Sequence, residues 1–436
     1  MISKILKGRE FSNIAWLISD KAIRLFLGLY ISTGIARTLG PIDYGIYNYA
    51  MAIVAILGVL CSLGLNSILI KEFVKKNDKS ESILINAIIM RLVLAIIVVI
   101  IVFIWSNVAE EGNGNVIIAF MSISLLFQSS FVIRSWFEAK VQSKQAIIAE
   151  NISFAICSTL RVYFILFEPS ILLFCSVFVL ESFISSILLI YFFSKDKGQI
   201  FKIEFDSSIM SNLLKDSWPL IISSACWILY TRIDKVMISN MLGDKEVGIY
   251  SVAVIICDIL CMLPAIIASS LIPKALSLKN KSNIKYLKRF QLTYDLVVFV
   301  ALFSILIVTF FSDWIIMTLF GSAYSEASTV LKTYAWGGLF LTMIMVSGRY
   351  MVQEGLQKLM IVRHALGLTV NVTLNLILIP LYGMEGAAYA SLFALMLSGY
   401  FFDTLTKATN ICFKQKTKSI FCNSLFSIAK NKYRKI

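Results

Sequence analysis

Apolar runs long enough to cross a bilayer recur along this chain about twelve times, separated by short polar stretches. Roughly 20 apolar residues span a hydrocarbon core. Inside that core every backbone polar group must be satisfied within the protein, and a helix does this within one segment. The pattern therefore predicts an all-α polytopic membrane protein. Predicted spans fall near 13–35, 45–70, 84–106, 115–137, 147–167, 171–193, 217–241, 247–273, 290–312, 328–350, 359–380 and 385–407. Composition agrees, because 58% of residues are hydrophobic and only 15% charged, against about a quarter charged in a soluble domain. Aspartates, lysines and arginines follow the basic start of the chain at Asp20, Lys21 and Arg24, and no small-residue cleavage site follows a short apolar core. The first span is expected to be retained rather than removed as a signal peptide.

Charge placement predicts the orientation. The formal net charge is +14, yet the basic residues are not interleaved with aromatics as in a nucleic-acid-binding surface. With the amino terminus cytoplasmic, 31 of the 40 Lys and Arg fall in inside segments, and Arg37, Lys245 and Lys332 fall outside. That asymmetry follows the positive-inside rule. Both termini are then cytoplasmic. The remaining six, Lys21, Arg24, Arg91, Arg161, Arg232 and Lys235, lie within predicted spans.

The chain also repeats itself. Residues 39–50 read LGPIDYGIYNYA and residues 242–253 read LGDKEVGIYSVA, 203 positions apart. At that spacing Leu39, Gly40, Gly45, Ile46, Tyr47, Ala50 and Ile53 match Leu242, Gly243, Gly248, Ile249, Tyr250, Ala253 and Ile256. Self-similarity at one fixed spacing marks a duplicated module. The predicted division is a six-helix lobe over 1–193, a cytoplasmic linker over 194–216, a second six-helix lobe over 217–407 and a basic cytoplasmic tail over 408–436. An even number of spans per lobe makes the repeats parallel, around a central cavity. In each copy of the motif the glycines suit a tight reversal, while Tyr44, Tyr47 and Tyr250 are expected at headgroup level. Pro380 is expected to stop a helix, and Gly386-Ala387-Ala388 to let the next one pack closely. The tail is expected to be solvated or bound to headgroups.

Three stretches carry a family likeness: ARTLGPIDYGIYNYA at 36–50, RIDKVMISNMLGDKEVGIYSVA at 232–253 and NLILIPLYGMEGAAYAS at 375–391, supported by SSLIPKALSL at 269–278. Together they resemble the polysaccharide biosynthesis flippases, including the bacterial O-antigen flippases, of the multidrug/oligosaccharidyl-lipid/polysaccharide exporter superfamily. The resemblance implies transport of an undecaprenyl-pyrophosphate-linked oligosaccharide across the inner membrane by alternating access, coupled to protons or sodium. It also implies a polysaccharide polymerase and a chain-length regulator as partners besides the bilayer.

Charges within the spans are the residues most informative about function, since each costs several kcal/mol unless paired or facing water. Lys21 and Arg24 share one face of the first span, and Arg232 and Lys235 share one face of the seventh. With Arg161 of the fifth span they form the expected anion site, because Lys and Arg hold phosphate through charge-assisted hydrogen bonds. Local pairing offers a competing reading: Asp20 precedes Arg24 by four residues, and Lys235 and Arg91 near span ends could snorkel. Asp234, Glu181 and Asp258 are the acids expected to couple an ion, since a desolvated carboxylate can exchange a proton. A salt bridge to one of the arginines is the bland reading for each.

No catalytic or metal constellation and no cofactor is expected. His364 is the single histidine, and the eight cysteines form no CxxC pair. A multidrug antiporter of the same superfamily is the first alternative; its cationic substrates would favour acidic walls, and the embedded charge here is mostly positive. A membrane polymerase or acyltransferase would need a catalytic loop. A lipid II flippase typically has two further spans.

Overall fold

The computed structural model describes the backbone of residues 9–75, 80–109, 113–140, 142–197 and 205–421, with side chains from Arg24 onward apart from Ser67, Asn113 and Lys197. The described residues are helical throughout, with short turns between helices. In chain order the helices are α1 (Arg9–Ser62), α2 (Asn66–Lys75), α3 (Ser80–Val108), α4 (Asn113–Ser122), α5 (Ser124–Gln128), α6 (Val132–Ala139), α7 (Ser143–Phe167), α8 (Ile171–Lys197), α9 (Ser207–Met241), α10 (Asp244–Leu276), α11 (Asn283–Phe320), α12 (Ala327–Gln353), α13 (Gln357–Gly399) and α14 (Asn410–Ile420). Among the described residues nine helical stretches are long and apolar enough to cross a membrane. Two of them are each two helices joined across a kink, at Gly40 (φ 74°) and at Gly383 (φ 57°). With α9, which is long enough but more polar, each of the twelve expected spans coincides with helix over most of its length. The protein is a multi-pass membrane protein.

Both kinks sit where the chain reverses, and glycine alone adopts positive φ there without strain. Pro380 does not end its helix as expected: the helix runs through it to Gly383. A proline near a helix end removes one hydrogen bond, which the kink three residues later makes redundant. Just beyond, a Cβ on Gly386 would lie 2.1 Å from the Leu378 carbonyl oxygen. The Gly-Ala-Ala run is therefore small because the two arms of this hairpin touch backbone to backbone. The expected span at 45–70 is broken instead at Leu63–Leu65, where Leu63 and Gly64 both take positive φ. The expected linker is also shorter, because residues 207–216 belong to α9, whose first turn is capped by the Asp206 carboxylate accepting from Ser208 N at 2.8 Å and Ile209 N at 3.3 Å.

Contacts divide the chain into two compact units, 34–248 and 1–33 with 249–436. These are not the boundaries of the six-plus-six division, which puts a cut at 194–216. In the first unit, Trp136 packs edge-on between Phe73 and Phe193 at 5.4 and 5.3 Å, at the centre of a core with Leu69, Leu84, Phe137 and Leu213. Such aromatic pairs contribute about 0.5–1.5 kcal/mol beyond their burial. In the second unit, Tyr286, Phe290 and Tyr350 form the corresponding aromatic cluster, with Cys412 of α14 buried against it. So residues 410–420 of the expected solvated tail are a docked helix, burying Cys412, Gln415, Lys416 and Ser419. The rest of the tail beyond Phe421 lies outside the described residues.

The first copy of the repeated motif meets the 242–248 part of the second within the 34–248 unit. A Cβ on Gly45 would lie 1.7 Å from the Asp244 carbonyl oxygen, and a Cβ on Gly248 would lie 2.0 Å from the Pro41 carbonyl oxygen. Each glycine is thus required by the other copy's backbone. The motif tyrosines follow this contact inward: Tyr44, Tyr47 and Tyr250 are 2%, 7% and 1% exposed. Their rings are covered by protein and not presented to headgroups as expected. Tyr250 packs edge-on against Tyr334 at 5.9 Å.

Candidate functional site

In the unit formed by 1–33 and 249–436, the end of α10 and the end of α12 enclose a cavity of about 670 Å³ together with Arg24 of α1. Its walls are Met262, Ala265, Ile266, Ala268, Ile272, Pro273, Leu276 and Met345, and its polar groups are Arg24, Arg349 and Ser269. No acid is among the described residues that line it. Pro264 and Pro273 each remove a backbone hydrogen bond from α10 along this wall. Two guanidinium groups in an apolar surround attract an anion that carries a long apolar body. Arg349, at the end of the predicted span 328–350, lies within α12 and lines the cavity. Its companion Lys21 has its side chain outside the described residues.

The other expected cations belong to the 34–248 unit and have different surroundings. Arg161, 9% exposed, donates from Nη2 to Glu181 Oε2 at 2.6 Å. The expected phosphate ligand and the expected coupling acid thus form an ion pair between α7 and α8. Ser153 anchors the same place by donating to the Glu181 carbonyl at 2.7 Å. Lys235, 5% exposed, donates from Nζ to Asn48 Oδ1 at 2.9 Å, while Asn48 Nδ2 donates to the Tyr44 carbonyl at 2.9 Å. Snorkelling is thereby excluded for Lys235, whose ammonium is held in the interior beside the motif. Arg232 is half-buried, and its buried Nε has no hydrogen-bond partner. Asp234 is 3% exposed, whereas Asp258 is exposed. Of the three coupling candidates, Asp234 alone is buried without belonging to the Arg161–Glu181 pair.

Sequence reasoning missed two further charged places. Arg91 was expected to snorkel near a span end, but it is 4% exposed and faces a separate cavity. Lys416 of α14 is fully buried and donates to Asp403 Oδ2 and to the Gly399 carbonyl, both at 2.6 Å, and to Ser347 Oγ at 3.2 Å. Arg363 donates to the same Ser347 hydroxyl at 2.9 Å. These contacts fasten α14 to the bundle. Burial holds the Lys416 ammonium below its ordinary value, a shift that the Asp403 carboxylate opposes. Burial likewise pushes the Cys412 thiol up to about 12. The basic composition of the tail hid these contacts, although the alternation of Cys412, Gln415, Lys416 and Ser419 at helical spacing was legible.

Comparison with known proteins agrees with this architecture. A protein of Staphylococcus aureus described as capsular polysaccharide biosynthesis protein CapF is 26% identical over 413 residues, covering 91% of this chain and 99% of that one. A putative O-antigen transporter of Shigella flexneri is 21% identical over 395 residues, covering 86% of this chain and 92% of its own. Among solved structures, lipid II flippase MurJ in an inward closed conformation superposes with a TM-score of 0.74 at 16% identity, over 97% of this chain and 93% of that one. At that identity the likeness concerns the fold alone. The family model described as polysaccharide biosynthesis protein matches residues 11–279, more than half of the sequence, and the chain belongs to that family.

Proposed function

We propose that this flippase-like transporter carries an undecaprenyl-pyrophosphate-linked oligosaccharide, an O-antigen or similar surface repeat unit, from the cytoplasmic to the outer leaflet of the inner membrane. The observation that carries the reading is the cavity of about 670 Å³ whose polar groups are Arg24, Arg349 and Ser269 within an otherwise apolar wall. Arginine presents a planar, permanently charged donor fork suited to phosphate oxygens. An isoprenoid diphosphate combines the two chemistries the cavity offers. Lys21, Arg232 and Lys235 are proposed as further contacts along its path, with Arg161 held structurally by Glu181. Names of similar proteins support the class: a putative O-antigen transporter and a lipid II flippase.

Positive inside charge supports cytoplasmic termini, and two six-helix repeats support alternating access. Coupling to a proton or sodium gradient is proposed for Asp234, whose burial favours proton exchange. The multidrug alternative predicts acidic walls, and this cavity presents guanidinium groups. The two readings separate in proteoliposomes. A fluorescent undecaprenyl-pyrophosphate oligosaccharide should become accessible on the opposite leaflet only with the wild-type protein, and a lipophilic cation should not be pumped. Cation transport without movement of the lipid would overturn the proposal. A polymerase and a chain-length regulator are proposed as downstream partners, acting on the translocated unit.

A further inference from the structure

The 34–248 unit contains its own cavity, of about 400 Å³, whose chemistry differs from that of the first. It is lined by the end of the kinked helix α1, the start of α2, and α3, α5 and α6. Arg91 is its most unusual group. Nη2 donates to Asn66 Oδ1 at 2.8 Å, Nε has no partner, and no carboxylate pairs with it among the described residues. An arginine cannot escape burial by losing its proton, and an uncompensated buried charge costs several kcal/mol. The group at 4% exposure is therefore set up for an anion that arrives from outside the protein. Arg134, across the cavity, is already neutralised, donating to Glu138 at 2.9 Å and Glu150 at 2.8 Å.

The remaining lining is rich in neutral hydrogen-bonding groups. Asn66 and Gln128 offer amides, Ser62 and Ser135 hydroxyls, and Glu138 a carboxylate acceptor. This is a surface for a ligand with many hydroxyls and one negative group. The duplicated architecture sharpens the contrast, because the 203-residue spacing aligns Ser62 and Asn66 with Ala265 and Ser269. Both cavities use the end of the second span and the end of the fourth span of their repeat. One copy is walled mainly by alkyl side chains, while the other adds amides, hydroxyls and charged groups to Leu125 and Phe131.

We infer that the Arg91 cavity is a second binding site, which takes an anionic sugar residue, its carboxylate or phosphate on Arg91 and its hydroxyls on Asn66, Gln128 and Glu138. This rests on the oligosaccharide reading above and adds that the transported glycan bears a negative charge. Calorimetry on the full-length protein in nanodiscs tests it, with glucuronate, glucose 6-phosphate, glucose and inorganic phosphate as probes. Glucuronate or glucose 6-phosphate should bind at least tenfold more tightly than glucose or inorganic phosphate, the tighter of the two naming the anionic group. Arg91→Gln should weaken that binding at least tenfold. Gly58→Leu should do the same by filling the cavity without touching a buried charge, since a Cβ at Gly58 meets nothing closer than 3.4 Å. Equal binding of inorganic phosphate, no binding of either charged sugar, or unchanged binding in the Gly58→Leu protein would each overturn the inference. Export by Arg24→Gln cells is read separately, so loss of the diphosphate site and loss of the sugar site are distinguishable.

Discussion

Replacing Gly45 by alanine is a single-methyl perturbation at the contact between the two copies of the repeat. The added Cβ would lie 1.7 Å from the Asp244 carbonyl oxygen and 2.7 Å from its carbon. Ordinary carbon contacts begin near 3.5 Å, so the two backbones must separate by roughly 1.8 Å. Neither neighbour can yield by rotating a side chain, because the obstructing atoms are backbone. Overpacking of this kind costs about 1–3 kcal/mol, and the gain in helix propensity on replacing glycine by alanine, about 1 kcal/mol, offsets only part of it. Gly248→Ala should behave alike, its Cβ falling 2.0 Å from the Pro41 carbonyl oxygen. The double variant should cost less than the sum, because one separation makes room for both methyls. Gly114→Ala is the control, since its nearest neighbour is the Ile46 Cγ2 at 3.8 Å. The assay is thermal unfolding of the purified protein, alongside surface polysaccharide restored in a deletion strain. The Gly45 and Gly248 variants should unfold at lower temperature and export less, and Gly114→Ala should match wild type. Gly45→Ala and Gly248→Ala proteins indistinguishable from Gly114→Ala in both readouts would refute the backbone contact.

Other consequences concern the charged side chains. Glu181→Gln should destabilise the protein by about 2 kcal/mol, a buried-pair loss reduced for partial exposure, and a Arg161→Met, Glu181→Met double variant should lose less than the two singles summed. With all other cysteines replaced by serine, Cys412 should react slowly with maleimide at neutral pH, and Lys416→Ala should speed labelling by freeing α14 and stranding Asp403. Lys416 is held below its ordinary value of 10.5, so the docked state binds fewer protons than the undocked state in the range just below 10.5. Docking should then strengthen as pH rises through that range and weaken as pH falls through it, read as amide-exchange protection of 410–420 after correction for intrinsic rates. Unchanged protection across that range would contradict the buried lysine.

The helices and their order were legible because hydropathy and the spacing of the repeats depend on composition along the chain. The reversal at Gly40 was legible too, from the glycine that permits it, whereas the kink at Gly383 was read as a stop at Pro380. Facing was not. These helices are apolar on nearly every side, so no stripe marks the buried face. Tyr44 and Tyr250 consequently read as headgroup residues, although protein covers both. The same blindness moved Arg91 to a span end, where it instead faces a cavity. Arg161 and Glu181 were both identified as embedded charges, yet their pairing across 20 residues depends on how α7 packs on α8. Depth and rotation come from tertiary packing, and single-sequence periodicity carries neither.

Leaflet-resolved measurement of the lipid-linked oligosaccharide in cells carrying Arg24→Gln with Arg349→Gln tests the transport reading most directly. Together these substitutions remove both guanidinium groups from the 670 Å³ cavity while keeping a neutral polar side chain at each position. The flippase reading predicts that complete lipid-linked units accumulate on the cytoplasmic face while surface polysaccharide falls, with the protein present at wild-type abundance. Normal surface polysaccharide and a normal leaflet distribution in those cells would contradict it.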